Sequence, residues 1–275
     1  MLQISNLFIY PIKSLGGIAL KNVKLTDRGL EHDRRWMLVD ENNQFLTQRT
    51  FPRMALLKTA IKEDKLIVFE KVQGEDSLIL EIEPSFGEIL KVDVWDDNCE
   101  AIHISTIADV WFSHKLNRNV KMVYMPDSSR RQVDKAYALQ DDITSFSDGY
   151  PVLLMGQSSL DDLNSRLDEP VPMNRFRPNI VFSGGTPYQE DEMKHFKVND
   201  LEFFGVKPCG RCVITTINQD TAIAGKEPLS TLSMYRTVSN KVNFGQNILH
   251  TGVGRIHVGD EIRLITSKQH IPALK

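Results

Sequence analysis

Alternating apolar and polar positions dominate the first hundred residues of the chain. Short runs such as WMLVD, LIVFE, LILEIE and LKVDVW alternate in this way and are separated by turn-forming residues. This alternation is typical of half-buried strands. No helical pattern of useful length interrupts these runs, so the sequence predicts a small antiparallel sheet or barrel in this part of the chain.

A segment with helical spacing follows. In STIADVWFSHKLN, apolar side chains recur at near-helical intervals, and Ser105 or Thr106 can cap the first turn. The spacing predicts an amphipathic helix whose apolar stripe combines Ile107, Val110, Trp111, His114 and Leu116.

A second amphipathic helix is predicted at SSLDDLNSRL. Three leucines recur there at intervals of three and four residues, behind Ser158 or Ser159 as the cap. Strand patterns then return in RPNIVFSG, LEFFGV, CVITTIN, NILHTG and RIHVGDEIRLI, the last of which is expected to end the ordered chain. The change of pattern near residue 100 predicts a boundary between two domains.

The composition is that of an ordinary globular protein. The chain has 275 residues, 41% hydrophobic and 25% charged, with a formal net charge of −3. This balance argues against generic nucleic-acid binding, which needs an excess of basic surface. No apolar run approaches the roughly 20 residues of a membrane span, and the N-terminus lacks the pattern of a secretory signal. We therefore expect a cytoplasmic protein without a membrane or nucleic-acid partner.

Several stretches collect groups that suit an anion. YPIKSLGG places Lys13 and Ser14 before two glycines, although the spacing of a phosphate-binding P-loop is absent. GLEHDRRWMLVD carries Arg34 just before a strand, and LTQRTFPRM adds Arg49 and Arg53 near another strand end. For each stretch taken alone, a solvated turn is the alternative.

Two later stretches extend this set of donors. NRFRPNIVFSGG contributes Arg175, Arg177 and Asn179 ahead of an apolar run. NFGQN offers a glycine for close backbone approach beside polar side chains, although an ordinary turn explains it too. Guanidinium and amide groups on the inward face of a strand are costly unless they bind something. Paired arginine donors suit a phosphate or another oxyanion.

KPCGRCVITTINQD contains two of the three cysteines, Cys209 and Cys212. They supply half of a tetrahedral zinc site, which Cys99 and His103 could complete. They also have the spacing of a redox pair, but the β-branched residues that follow favour a strand over the required helix. A third interpretation uses a single thiolate as the ligand of a softer metal centre, with nearby cations holding an anionic cofactor.

Nine stretches in order, from YPIKS to NFGQN, together resemble the MOSC proteins, a family named for the C-terminal domain of molybdenum cofactor sulfurase. The nearer resemblance is to members with a MOSC N-terminal β-barrel domain, including the mitochondrial amidoxime-reducing component and bacterial proteins that reduce N-hydroxylated bases. The resemblance implies a mainly β fold of the α+β class. It implies a MOSC N-terminal β-barrel-like domain over residues 1–100 and a MOSC β-barrel domain with a few helices over residues 101–268.

The resemblance also implies roles for individual residues. Cys212 would ligate molybdenum, and Asp148 would be a hydrogen-bond or proton partner of a metal-bound oxygen. Cys209 would be a neighbour and not a ligand. The groups that would hold the pterin and its phosphate are Lys13, Ser14, Arg34, Ser147, Arg177, Asn179, Gly210, Arg211, Phe244, Gly245, Gln246 and Asn247. Gly210 and Asn247 stand where mitochondrial relatives carry serine and tyrosine.

These implied roles predict a molybdenum-cofactor oxidoreductase that reduces N-hydroxylated compounds. The chain has no cysteine run of a plant-type ferredoxin, so we expect no iron–sulfur cluster, and electrons would come from a separate ferredoxin-type or flavoprotein-type donor. The alternative is a cofactor carrier, or a sulfur carrier with a persulfide on Cys212, without turnover of its own. Pyridoxal phosphate binding enters only at the level of the family, because the sulfurases join a MOSC domain to such a domain.

Overall fold

Strands make up most of the molecule. The computed structural model describes residues 1–71 and 76–267. The described helices are α1 (Thr106–Leu116), α2 (Gln157–Asn164), α3 (Leu229–Arg236) and four 3-10 turns over Pro52–Leu56, Met173–Arg175, Gln189–Asp191 and Val213–Thr216. No helix within the described ranges is long and apolar enough to cross a membrane. The strands are β1 (Leu2–Ile9), β2 (Ile18–Leu20), β3 (Asn22–Thr26), β4 (Gly29–Leu30), β5 (Trp36–Val39), β6 (Leu57–Lys62), β7 (Lys65–Glu70), β8 (Ser77–Glu81), β9 (Ile89–Val94), β10 (Asp97–His103), β11 (Lys121–Tyr124), β12 (Arg131–Gln132), β13 (Ile143–Thr144), β14 (Val152–Gly156), β15 (Ile180–Ser183), β16 (Met193–Val198), β17 (Leu201–Gly210), β18 (Thr237–Val238), β19 (Lys241–Thr251), β20 (Gly254–His257) and β21 (Glu261–Ser267).

Seven strands close into a barrel in the order β14, β15, β1, β21, β16, β17 and β19, because β14 also pairs with β19. Only the β14–β15 pair is parallel among these seven strands. Apolar side chains from these strands form one core cluster that includes Leu7, Leu154, Phe182, Phe203 and Ile248. Each such buried side chain contributes about 1.5–3 kcal/mol. The first strand of the chain is thus built into a barrel with strands of the C-terminal half.

Strands β5 to β10 and β11 form two antiparallel sheets, as the alternation predicts, whereas β2 pairs with β1 and β3 and β4 form a sheet with β20. One has the order β5, β11, β10, β9 and the other β6, β7, β8. Side chains from both sheets and from α1 share a core that includes Trp36, Leu66, Phe112 and Met122. The predicted runs WMLVD, LIVFE, LILEIE and LKVDVW all fall on these strands. The mainly β character of the fold is therefore confirmed.

Helix α1 is present where predicted, but its buried face is not the predicted stripe. Ser105 caps it by accepting a hydrogen bond from the backbone N–H of Ala108 at 3.1 Å. Ile107 and Val110 are 75% and 65% exposed, and the helix packs through Ala108, Phe112 and Lys115. The helix has apolar residues on more than one side, so the neighbouring sheets decided which side is covered.

Helix α2 begins after Gly156, and no side chain caps it, so the predicted serine caps are wrong. Ser159 is buried instead, and its hydroxyl donates to Oε2 of Glu190 at 2.7 Å. Leu160 and Leu163 are buried as expected, whereas Leu167 follows the end of the helix. The run RIHVGDEIRLI, which was expected to end the ordered chain, falls on β20 and β21, and residues 268–275 lie outside the described residues.

His250 on β19 predicts a pH dependence of stability. Burial lowers its pKa to about 4, whereas an exposed histidine titrates near 6.5. Between these values the unfolded chain binds the proton and the folded chain does not. This residue's contribution to the free energy of unfolding therefore falls as the pH drops from about 6.5 to about 4, by at most about 1.4 kcal/mol per pH unit.

Denaturant unfolding of the wild type and of His250→Gln, measured from about pH 7 to about pH 4, checks this expectation. The variant lacks the titrating ring, so its stability should fall less steeply over that range. Parallel curves for the two proteins would show that His250 does not titrate with folding.

Candidate functional site

One cavity brings together eleven of the fourteen predicted site residues from separate parts of the chain. Its lining includes Lys13, Ser14, Arg34, Ser147, Asp148, Arg177, Asn179, Gly210, Arg211, Cys212 and Asn247. They come from the loop after β1, the turn before β5, the loop after β13, the approach to β15, the end of β17 with the two residues after it, and the middle of β19. Residues up to 234 positions apart in sequence, Lys13 and Asn247, therefore line one cavity only because the barrel closes.

Three of the lining residues have left-handed backbone conformations. The φ angles of Ser14, Arg34 and Arg177 are 67°, 50° and 55°. Such angles are uncommon for residues other than glycine and need support from the surrounding structure. At Arg34 a backbone hydrogen bond gives this support, because the N–H of Arg34 donates to the carbonyl of Tyr10 at 2.9 Å. The backbone is thus held in the shape that aims these side chains at the cavity.

Arg34 is fixed by a buried polar network. Its Nη1 donates to Oδ2 of Asp33 at 2.5 Å and to Oδ1 of Asn179 at 2.9 Å, and its Nη2 donates to the carbonyl of Arg177 at 3.2 Å. The guanidiniums of Arg34 and Arg177 lie 4.5 and 4.2 Å from the ring centroid of Tyr10. Burial lowers the pKa of Arg177 to about 10, so this side chain is still charged at neutral pH.

Asp148 is the centre of an ion cluster in the cavity wall. Its Oδ1 accepts from Nζ of Lys13 at 2.7 Å and its Oδ2 accepts from Nη2 of Arg49 at 2.9 Å. Partial desolvation opposes its charge, but Lys13 and Arg49 outweigh this effect and hold the pKa of the carboxyl well below its usual range. Burial also lowers the pKa of Lys13 to about 8, against the opposing effect of Asp148. At neutral pH Asp148 is an acceptor without a proton, and Lys13 carries the proton.

The chain after Cys212 is a 3-10 turn, so the predicted strand CVITTIN is wrong at this point. The hydroxyls of Thr215 and Thr216 donate to the carbonyls of Cys212 and Val213 at 3.0 and 2.8 Å. These short-range bonds offer the backbone an alternative to a strand ladder. The turn ends β17 before the second thiol and leaves that thiol at the cavity.

Cys209 and Cys212 both line the cavity, but their surroundings differ. Cys209 lies within β17, and burial raises the pKa of its thiol although Arg211 opposes the effect. A thioredoxin-type pair would place this first cysteine at the start of a helix, whereas here it lies in a strand. Cys99, proposed as a zinc ligand, packs in a separate apolar core. Within residues 1–71 and 76–267 no group of three His, Cys, Asp or Glu side chains is arranged to hold a metal ion.

The three residues of the FGQ stretch, Phe244, Gly245 and Gln246, lie on β19 and do not line the cavity. They pack behind residues that do line it. Gly245 has φ 83°, and a Cβ there would lie 2.8 Å from Cγ of Met155 and 3.2 Å from Nη2 of Arg211. This glycine therefore leaves room for the Arg211 side chain, whose Nε donates to the carbonyl of Phe244 at 2.7 Å. Gln246 is fully buried, and its amide has no hydrogen-bond partner among the described residues.

Two basic residues of the cavity lining, Arg49 and Arg175, were not among the cofactor-binding residues predicted from the sequence. Arg49 pairs with Asp148 and also interacts with Cys212, and Arg175 lines the cavity and donates to the carbonyl of Thr215 at 2.7 Å. The clustering of arginines near strand ends was the available signal. It did not separate Arg49 from Arg53, which pairs with Glu70 instead. The cavity lining consequently carries six basic side chains and a single carboxylate: Lys13, Arg34, Arg49, Arg175, Arg177 and Arg211 with Asp148.

Known families match both halves of the chain. The MOSC N-terminal beta barrel domain matches residues 1–119 and the MOSC domain matches residues 141–263. Mitochondrial amidoxime-reducing component 1 of Mus musculus is 32% identical over 280 residues, covering 95% of this chain and 82% of that protein. Mitochondrial amidoxime reducing component 2 of Rattus norvegicus is 32% identical over 94% of this chain and 82% of that protein.

A second kind of relative is much longer than this chain. Molybdenum cofactor sulfurase of Oryza sativa subsp. japonica is 31% identical over 264 residues, which are 89% of this chain and 32% of that protein. The chain therefore spans about a third of that relative and most of the amidoxime-reducing components. The two domain matches and the similarity to these relatives point to the same family. The chain belongs to the family of proteins in which a MOSC N-terminal beta barrel domain precedes a MOSC domain.

Proposed function

We propose that this protein binds the molybdenum cofactor in the cavity and reduces N-hydroxylated compounds with electrons from a separate donor protein. The observation that carries the proposal is the thiol of Cys212 in a cavity with six basic side chains and one carboxylate. A soft thiolate suits a molybdenum ligand, and clustered guanidiniums suit the phosphate of an anionic cofactor. The amidoxime-reducing relatives support the choice of substrate.

The lining residues fit this cofactor by their chemistry. Cys212 would be the metal ligand, with Arg49 beside it. When bound, the cofactor supplies a two-electron centre that can accept an oxygen atom, which no amino-acid side chain provides. The groups that would hold its anionic and polar parts are Lys13, Ser14, Arg34, Ser147, Arg177, Asn179, Gly210, Arg211 and Asn247, with Phe244, Gly245 and Gln246 behind them.

The protein's own contribution is to orient the groups and to fix their charges. Arg34 and Arg177 are held by Asp33, Tyr10 and Asn179, so little reorganisation is needed when an anion enters. Asp148 keeps a negative charge at neutral pH because Lys13 and Arg49 pair with it. It can accept a hydrogen bond from a substrate N–H, while the nearby proton is held on Nζ of Lys13.

A carrier without turnover is the second candidate, and one observation favours it. Relatives described as molybdenum cofactor sulfurases match almost the same stretch of this chain as the amidoxime-reducing components do. A cavity that binds the cofactor serves a carrier or a sulfur carrier as well as a reductase. The two candidates differ in turnover and not in cofactor binding.

Metal content and turnover test the two candidates in sequence. Protein purified from cells competent in cofactor synthesis should contain about one molybdenum per chain, measured by plasma mass spectrometry, because Cys212 would supply one thiolate ligand to one metal ion. With a reduced viologen as artificial donor, it should convert benzamidoxime to benzamidine. Stoichiometric zinc without molybdenum would contradict both candidates. Bound molybdenum without turnover with any donor would favour the carrier.

The two thiols predict unequal losses. Cys212→Ala should lose the metal ligand and reduce kcat/KM by at least about a thousandfold, comparable with removal of a central catalytic group. Cys209→Ala should keep most of the molybdenum and most of the activity, because burial keeps Cys209 protonated. The paired variants serve as controls for each other in metal content and steady-state kinetics. Equal losses would revive the zinc or dithiol interpretation.

Asp148→Asn tests the ion cluster. Loss of a charge-assisted hydrogen bond to substrate, worth about 1.5–3 kcal/mol, predicts a fall of about ten- to a hundredfold in kcat/KM. The variant also removes the charge that raises the pKa of Lys13, so that pKa should fall below about 8. An alkaline limb of the pH–rate profile that depends on Lys13 would then move to lower pH.

Asp127→Asn is the matched control for this variant. Asp127 also pairs with an arginine, Arg35, at 2.8 Å, but it is not part of the cavity lining. Its replacement should leave both kcat/KM and the pH profile unchanged. If Asp148→Asn behaves like this control, Asp148 has no role beside the substrate.

A further inference from the structure

Trp95 occupies an unusual position beside the cavity. It lies in the two-residue turn between β9 and β10, with a left-handed φ of 58°. A bulky side chain in this region is an outlier that the surrounding structure must hold. Although it is a large apolar side chain, 45% of Trp95 is exposed.

The contacts of Trp95 fix its indole at the edge of the ion cluster. The guanidinium of Arg49 lies 4.6 Å from the indole centroid, and the ring of Phe45 lies 5.0 Å away at 58°. The indole Nε1 donates to Oδ1 of Asp148 at 3.3 Å. The indole is therefore held by the guanidinium of Arg49, by packing against Phe45 and by its hydrogen bond to Asp148. Nearly half of the side chain is still exposed to solvent.

The carboxylate of Asp148 has room for one more donor. An ionised carboxylate accepts about four hydrogen bonds. Lys13 and Trp95 donate to Oδ1, and Arg49 donates to Oδ2. The Asp148 side chain is also 57% exposed, so its free acceptor position is accessible. A substrate group placed there must carry an N–H or O–H donor, and a substrate carboxylate would be repelled.

We propose that Trp95 is a specificity-determining residue that stacks on the ring of an aryl N-hydroxyamidine while an N–H of the same substrate donates to Asp148. This inference rests on the proposed reductase function and assigns to Trp95 a preference for aryl over alkyl substrates at that site. An N-hydroxyamidine is planar and carries N–H donors next to its N–O bond. When it is attached to an aromatic ring, the ring that would stack on Trp95 and the N–H that would donate to Asp148 stand on directly bonded groups.

Binding can be tested without the cofactor and without turnover. Benzamidoxime should quench the fluorescence of Trp95 in the protein lacking cofactor, and acetamidoxime, which has no ring, should quench it much less. Trp95→Phe should lose the benzamidoxime-dependent change. Trp111→Phe is the matched control, because Trp111 lies on α1 and donates to Asp76; it should keep the change. An unchanged signal in Trp95→Phe would overturn the proposal.

Kinetics of the loaded enzyme give a second readout. Trp95→Leu keeps an apolar side chain but removes the π face, and it should raise KM for benzamidoxime about five- to tenfold, the size that an aromatic pair contributes. Its kcat/KM for acetamidoxime should fall clearly less than that for benzamidoxime, since that substrate has no ring to stack and loses only the support that Trp95 gives to Arg49 and Asp148. Trp95→Phe should restore most of the benzamidoxime affinity.

The outcomes separate this inference from the proposed function. Equal losses for both substrates in Trp95→Leu would show that Trp95 only holds Arg49 and Asp148, and would overturn the proposal. Unchanged kinetics for both substrates would overturn it as well, while reduction of benzamidoxime by the wild type would leave the proposed function standing. If the wild type reduces neither substrate but Trp95 fluorescence responds selectively to benzamidoxime, the reductase function fails and the binding site remains.

Discussion

The pairing of β1 between β15 and β21 is the interaction on which the cavity depends. It places the first strand of the chain inside a barrel built mainly from its second half. The backbone N–H of Phe8 donates to the carbonyl of Asn179 at 2.9 Å, and the side chain of Asn179 then reaches Arg34. Without this register, the loop that carries Lys13 would not meet the approach to β15. The barrel core and the binding cavity therefore rest on the same strand pairs.

A concentration of positive charge distinguishes the cavity from the apolar interior next to it. Buried cations are costly unless they are paired or bind something, and one carboxylate, Asp148, accompanies six basic side chains in the lining. Ring contacts with Tyr10 and carbonyl contacts to Arg177 and Arg211 offset part of this cost. An anionic ligand would offset more of it. The protein thus holds unfavourable charge and left-handed backbone at one place, as binding sites commonly do.

Much of this arrangement can be predicted from the sequence, and the failures have local causes. The strands of the first hundred residues and α1 with its Ser105 cap follow from periodicity and cap chemistry. The strand expected after Cys212 is a turn because threonine hydroxyls bond the local carbonyls. The apolar stripe of α1 differs from the buried one because helix periodicity does not say where the neighbouring sheets lie. Arg49 could not be told from Arg53 by spacing.

The sequence by itself determined the strand-rich fold, the family, and the residue types of the cavity, since alternation, turn residues and ordered motifs are properties of neighbours along the chain. Only the tertiary structure decided which of these residues meet. It set Gly245 behind Arg211, placed Cys209 in a strand and Cys212 at a turn, and brought Trp95 from another sheet to Asp148. The physical reason is that such contacts depend on barrel closure and on the register between distant strands, which no local pattern encodes.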